Sequence, residues 1–312
     1  MGQATARTIV AAVRVWCWLA YPRQIARFRR AIGRWPDPAL PRYRNDKYLW
    51  RKIFDRNPLF TQVSDKLLAK QYAVSRCSPV KVAETLWTGN RAEDIPDELL
   101  QGSVVVKANH GSGWNIFVRN GRHERGDLNR TVNRWLASRF GKRHAEWGYY
   151  GVRPCLFVEE LLCDHGEAVD NQYKFYCGSG EIAFVFVRQR AGDGRLLEGV
   201  LNAQGKAHAG TFDSGVLSAD VHKPPEWDAL VTAALALSRD FDFVRCDLYA
   251  ISGEVYFSEL TLYTLGGLAW IDDAGLNERY TRLWDLRQSW FMRTPQQGWR
   301  RLYARALNRL LK

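Results

Sequence analysis

Residues 243–268, FVRCDLYAISGEVYFSELTLYTLGGL, constrain the fold more than any other stretch of this chain. Two β-patterned segments, 244–250 and 255–260, flank a Ser252-Gly253 turn, the signature of a hairpin. Asp247 and Glu259 interrupt the apolar pattern, one on each strand. Counted back from the turn with regular pairing, both are expected on one face. Facing carboxylates repel, so the arrangement calls for a cation between them. Hard oxygen ligands favour Mg²⁺, which at so few carboxylates arrives with nucleotide phosphates. The alternative is a pair of solvent-facing acids on a half-exposed hairpin.

The length of 312 residues accommodates two or three subdomains, and 46% hydrophobic with 25% charged residues is a globular composition. Six cysteines show no C-x-x-C pair or zinc spacing, and they fall mainly in apolar runs. They are expected as reduced core thiols of a cytoplasmic protein. Residues 1–35 hold seven Arg and no acid, and residues 299–312 hold four Arg and Lys312 and no acid. These ends account for the whole net charge of +12, so residues 36–298 are neutral. A broad nucleic-acid face on the body is therefore excluded. The C-terminal stripe Trp299, Leu302, Tyr303, Ala306, Leu307, Leu310, Leu311 follows helical spacing. Such basic amphipathic ends suit an anionic membrane surface; the competing reading packs their apolar faces on the body. The apolar run 9–21 is too short to span a bilayer.

Coarse patterning predicts a helix over 43–55 and a second one opened by Ser64 as N-cap. Strands are predicted at 81–87, 104–108 and 154–162, with a hairpin of 173–176 and 182–188 over the turn 178–180. Helices are predicted at 127–140, 225–239, about 277–292 and the C-terminus. No regular βαβ alternation appears, so the class is α+β.

A second chemical signal is VVVKANHGSGWNIFV, residues 104–118. Lys107 leads into the turn Gly111-Ser112-Gly113, whose backbone N–H groups can present to phosphate. It is neither a P-loop nor a dinucleotide fingerprint; alone, an ordinary turn explains it. Downstream, the apolar strand around Glu159, Glu160 and Leu161 offers a slot for an adenine. Lys174 and Arg188 then interrupt or end apolar strands, where a cation is costly unless it reaches solvent or an anion.

The ordered motifs YLWRKIFDRNPLFTQVSDKLLAKQY, VVVKANHGSGWN, FVEELL, YKFYCGSGE, VRCDLY and YFSELTLYTLGGL resemble the ATP-grasp superfamily, and within it the TupA-like family named for teichuronopeptide biosynthesis. The resemblance covers about residues 43–268. It implies an ATP-grasp fold of two lobes whose antiparallel sheets clasp ATP. Together with the composition of the ends, it divides the chain into a basic helical segment with a Pro-rich linker (1–41), a helical or α+β subdomain (42–102), a small lobe with a Gly-rich flap (103–160), a large lobe with the metal site (161–275) and C-terminal helices (276–312). It implies that Lys107 and Lys174 hold phosphates, that Lys66 also belongs to the ATP-binding set, that Gly111, Ser112 and Gly113 form the flap, and that Glu159, Glu160 and Leu161 line the adenine slot. Arg188 and Lys174 would act in catalysis, and Asp247, Glu259 and Thr261 would bind Mg²⁺. Three positions depart from the superfamily pattern: Thr261 replaces the usual Asn, Gln172 replaces an acid, and no proline precedes the glycines of TLYTLGG.

The implied activity is ATP-dependent joining of a carboxylate to an amine, with partners such as an amino acid and a glycan or uronic acid, in cell-surface polymer biosynthesis. Its expected place is the cytoplasm, peripheral at the inner membrane face. Two other classes remain open. Asp240-Phe241-Asp242 spells the D-x-D of sugar-nucleotide transferases, and a non-catalytic nucleotide-binding scaffold would also keep these motifs.

Overall fold

The structure, a computed structural model, describes residues 1–164, 167–168, 171–212 and 215–311. Lys312, counted above in the basic C-terminal segment, lies outside the described residues, as do six positions of the large lobe at 165, 166, 169, 170, 213 and 214.

Helices open the chain: α1 (Gln3–Ala20), α2 (Pro22–Ile32), α3 (Arg44–Ile53), α4 (Leu59–Ser64) and α5 (Lys66–Arg76). Ser64 ends α4; the cap of α5 is Asp65, whose carboxylate accepts from the N–H groups of Leu67 at 2.9 Å and Leu68 at 3.4 Å. An ionised side chain there also suits the positive end of the helix. The segment expected as one strand over 81–87 divides into β1 (Lys81–Val82) and β2 (Thr85–Gly89), which belong to different sheets. Glu84 makes the crossing, its N–H donating to Glu160 Oε1 at 2.8 Å.

After a short α6 (Asp97–Leu100), the hairpin β3 (Val104–Ala108) and β4 (Asn115–Val118) leads to α7 (Arg125–Ala137) and β5 (Leu156–Glu160). The order β2-β5-β3-β4 makes an antiparallel sheet. Val104, Val106 and Ala108 alternate inward against Leu128 and Val132 of α7, which leaves Val105 and Lys107 on the other face.

Past a small ribbon of β6 (Cys163–Asp164) and β7 (Glu167–Ala168) come β8 (Gln172–Gly178), β9 (Glu181–Arg190), β10 (Leu196–Leu201) and β11 (Ala207–His208). A second ribbon, β12 (Gly210–Phe212) and β13 (Gly215–Leu217), precedes α8 (Trp227–Ser238). The hairpin β14 (Phe243–Ile251) and β15 (Glu254–Thr261) is followed by α9 (Ala274–Leu283), α10 (Trp290–Arg293) and α11 (Gly298–Leu310). The large sheet runs β1-β15-β14-β8-β9-β10-β11, antiparallel except where β1 joins β15.

Alternation along the central strands feeds two cores. Phe175, Cys177, Val244, Cys246 and Leu248 pack beneath α5 and α8. On the opposite face, Tyr176, Phe184 and Phe243 meet Tyr280 and Trp284. That second core continues without a break into α3 and the terminal helices: Val10, Val13, Cys17, Phe28, Tyr303 and Leu307 are all buried in it. Tyr303 accepts from Trp50 Nε1 at 2.8 Å and donates to the Ala39 carbonyl at 3.0 Å, which fixes α11 to α3. The inner half of the C-terminal stripe thus packs on the body, whereas Trp299 and Leu302 stay exposed. All six cysteines are free; Cys17, Cys177 and Cys246 are core residues, but Cys163 is exposed.

Candidate active site

Between the two sheets lies a cleft of about 250 Å³. Lys66, Lys107, Gly113, Glu159, Glu160, Leu161, Lys174, Asp247 and Glu259 all line it, drawn together from positions up to 193 residues apart in the chain (66 to 259).

One rung of the large sheet carries the floor. Asp247 pairs with Lys174 on one side and with Glu259 on the other. Regular pairing does not produce this. From Ile251↔Glu254 to Leu248↔Phe257 the register is constant, and continued it would set Asp247 opposite Ser258, turning Glu259 to the other face. A β-bulge between Asp247 and Leu248 leaves Ser258 as the extra residue and restores Glu259 to its place across from Asp247. The expectation of facing acids holds, but through the bulge and not through regular pairing.

The cation between the acids is Arg245. Its guanidinium donates to both Asp247 oxygens at 2.6 Å and to Glu259 Oε1 at 2.9 Å. Thr261 also donates its hydroxyl to Glu259 Oε1, at 2.9 Å. Burial pushes Asp247 up to about 6, opposed by Arg245 and reinforced by Glu259. Glu259 has 36% of its side-chain surface exposed. Desolvation would raise it too, but Arg245, Lys66, the Thr261 hydroxyl and Lys174 hold it below the usual carboxylate range. The two acids have separate electrostatic settings despite sharing one partner.

Lys174 has its amine over the Phe186 ring at 5.8 Å, and among the described residues it forms no hydrogen bond or ion pair. Burial lowers its affinity for a proton, and Arg245 and Arg188 add to this against Asp247 and Glu259. Lys107 differs: its ammonium contacts Glu159, whose second oxygen takes Lys70 at 2.6 Å. Glu160 caps the Glu84 N–H. The carboxylates of β5 therefore serve the protein itself, and because β5 is paired on both sides by β2 and β3, what Glu159, Glu160 and Leu161 jointly offer the cleft is the backbone at the C-terminal end of the strand.

Lys66 donates to the carbonyls of Ala108, at 3.0 Å, and Gly111, and burial pushes it down to about 8. It anchors the glycine turn. Asn109 fixes the other side of that turn, donating to Asp65 at 2.9 Å and to the Arg153 carbonyl at 3.0 Å. The Trp114 ring lies so close over Gly111 that an added Cβ would stand 2.3 Å from it, and Gly113 has φ +70°. Of the turn only Gly113 lines the cleft; Gly111 and Ser112 do not.

Arg188 departs from its expected place. It shares the face of Lys174 but lies one strand further from the acids, across from Gln172. Half exposed, it reaches Glu198 at 3.6 Å and does not line the cleft. The D-x-D reading also fails: Asp242 is buried, accepting from Arg51 at 2.8 Å and Trp284 Nε1 at 2.6 Å, while Asp240 pairs with Arg76 at 2.6 Å. Asp242 has both oxygens bonded within the core, so the two acids do not present a joint metal site.

Motif reading misses Arg245 and Lys70. Both carry a signal: Arg245 sits two residues before Asp247 on the same strand face, and Lys70 sits one helical turn after Lys66.

The donor types fit Mg²⁺, since two carboxylates and a hydroxyl supply hard oxygens; Glu259 keeps one oxygen with no protein partner among the described residues, whereas both Asp247 oxygens are held by Arg245, which a bound cation would displace.

No curated protein sequence matches the chain. Among solved structures it is similar to the D-alanine–D-alanine ligase from Bacillus anthracis complexed with ATP (16% identity, 64% of this chain and 55% of that one, TM-score 0.39). It is also similar to the ATP-grasp ligase PsnB with a phosphomimetic precursor variant, Mg and ADP (15%, 73% and 61%, 0.39). A third is the macrocyclase MdnC bound with precursor peptide MdnA from Microcystis aeruginosa (12%, 69% and 62%, 0.38). The chain spans just over half to about three fifths of the length of these three proteins. The family model described as TupA-like ATPgrasp matches residues 46–278, most of the chain and every cleft residue named above, so the chain belongs to the TupA-like ATP-grasp family.

Proposed function

We propose that this protein is an ATP-dependent ligase that activates a carboxylate as an acyl phosphate and joins it to an amine. The observation that carries this reading is the rung Lys174–Asp247–Glu259: a lysine without a bonded anion beside two acids, facing Lys107 across the cleft. A triphosphate complements the two lysines, and Mg²⁺ held by Asp247, Glu259 and Thr261 would neutralise its charge. Lys107 and Lys174 bind phosphate oxygens from opposite sheets, the Gly113 turn covers them, and the segment at the C-terminal end of β5, where Leu161 leaves the sheet, receives the base. Arg245 keeps the two acids together until the nucleotide enters. No protein nucleophile is needed, because such transfer depends on positioning and charge stabilisation.

The substrates fit an amino acid and a glycan or uronic acid of a cell-surface polymer, a reading supported by the family alone. Measuring ADP release with Mg²⁺ against panels of amino acids and uronic-acid acceptors tests it. Acceptor-dependent ADP release with amide formation is expected. Nucleotide binding with no turnover across all panels would leave a scaffold instead.

We also propose that the chain works against an anionic membrane surface. Ala4, Thr8, Ala11, Val15 and Leu19 form the outward side of α1, exposed and uncharged, although its inward side is buried. Leu19 is 77% and Val15 60% exposed, with Trp18 and Trp35 stacked at 5.2 Å. A helix apolar on both sides belongs between two apolar media. Exposed Arg7, Arg30, Arg300 and Arg301 supply the complementary charge. Among the described residues no helix is long and apolar enough to cross a membrane.

A further inference from the structure

The basic N-terminal segment does more than present charge to solvent. A second cavity, of about 270 Å³, draws Arg23 and Arg27 from α2, Lys52 from α3, and Lys142, Arg143 and His144 from the turn before β5. Gly266 and Gly267, in the turn that follows β15, also line it, and Phe28, Tyr48, Leu49 and Leu268 give it an apolar part. The neighbouring residues of that turn, Thr264 and Leu265, line a chamber that shares Lys174 and Arg245 with the cleft.

Three distant segments thus bring five cations and a histidine to one cavity, whose described lining holds no acid. Glu146, buried beside it, is 3.7 Å from Lys52, and Lys52 also donates to the Gly266 carbonyl at 2.7 Å. Among the described residues, the side chains of Arg23, Arg27, Lys142 and Arg143 form no hydrogen bond or ion pair. The cations oppose one another. After burial, Arg143 weakens proton binding by Arg27, and Arg27, Lys52 and Arg143 do the same at His144. Five cations held this close against the single carboxylate of Glu146 leave a net positive potential, worth most to a ligand with more than one negative charge. Arginine forks and lysine ammonium groups together suit phosphate oxygens.

We propose that this cavity binds the phosphate group of a substrate, a phosphate monoester or diphosphate, whose remainder passes by the 264–267 turn towards the cleft. Assigning the phosphate to a substrate rests on the ligase reading; the anion site itself does not.

Calorimetric titration of the full chain with inorganic pyrophosphate tests the site. Saturable binding is expected, weakened at least about tenfold in an Arg27→Ala/Arg143→Ala double variant. The melting temperature and the affinity for a non-hydrolysable ATP analogue should not move in that variant, since neither side chain bonds to the protein. Saturating analogue should leave pyrophosphate binding in place. Equal binding by the double variant, or loss of pyrophosphate binding when the analogue fills the cleft, overturns the proposal. Phosphatidylcholine vesicles carrying phosphatidic acid distinguish the source. Retention lost in the double variant supports the site with a lipid phosphate; pyrophosphate binding without retention supports it with a soluble ester. Since binding requires no turnover, a failed ADP-release assay leaves this result standing.

Discussion

Lys174 faces the cleft with no bonded anion, whereas Lys107 is already held by Glu159, and the two lysines should respond differently to removal of charge. Lys174→Met is expected to weaken ATP binding roughly 10- to 100-fold, the scale of one charged hydrogen bond, and to leave the apo melting temperature nearly unchanged. Lys107→Met should lower both, because Glu159 then keeps only Lys70. Calorimetry with thermal unfolding separates the cases; a large apo loss in Lys174→Met would show that lysine to be structural. Arg188→Ala should change turnover less than either, given its distance from the acids and its exposed pairing with Glu198. Lys66 gives a pH test. Its folded value of about 8 lies below the ~10.4 of an unfolded lysine, so the unfolded chain binds more protons between those values and stability rises with pH there. Relative to Lys66→Met, wild type should therefore gain on the order of 2–3 kcal/mol from pH 8 to 10.4. A difference that stays flat in denaturant titrations would show that Lys66 is not desolvated.

At the level of elements, α3 explains a motif that its helical pattern alone leaves obscure. Arg44, Asn45, Lys47, Arg51 and Lys52 are buried on it, and each donates to backbone carbonyls between Leu262 and Trp284. The helix acts as a clamp that ends β15 and seats the 264–267 turn. Gly267 makes the approach possible: at φ +75°, a Cβ there would stand 2.4 Å from Tyr48 Cβ. Gly267→Ala is expected to cost at least about 2 kcal/mol, combining left-handed strain with a backbone-level clash. Urea unfolding measures this; a loss below the strain alone would mean that α3 yields easily. The glycines thus serve a docking role that requires no preceding proline.

For the whole molecule, the terminal helices close the core and at the same time leave a second apolar side outward. Arg14 and Arg34 are engaged with Asp37 and Asp46, so fewer N-terminal cations face solvent than the sequence count suggests. The membrane reading accordingly predicts that burial in the interface dominates and charge assists. Val15→Glu/Leu19→Glu should abolish co-sedimentation with anionic vesicles without unfolding the protein, since neither residue is buried. High salt should only weaken binding. Vesicle binding that survives the double substitution, or no binding by wild type at low salt, would remove this face from the model.

The sequence by itself determined which residues share a face. Period-two alternation separates Lys107 from Val106, Lys174 from Phe175 and Asp247 from Cys246, and the strands between punctuating turns follow from it. It determined the α+β class for the same reason, a local pattern readable within one element; the ordered cleft residues came from motifs that resemble the ATP-grasp superfamily, since each alone has an ordinary explanation. What only the tertiary structure decided are choices among partners far apart in the chain. A one-residue bulge at Ser258 reverses faces without altering composition, so the pairing of Asp247 with Glu259 needed the folded register. The cation expected between the acids as Mg²⁺ is, in the fold, the guanidinium of Arg245. Arg188 keeps the correct face but sits one strand too far out. The cations of α2 meet those of α3 and the 142–144 turn only because three long-range packings converge there, a juxtaposition set by the whole core and by no local pattern.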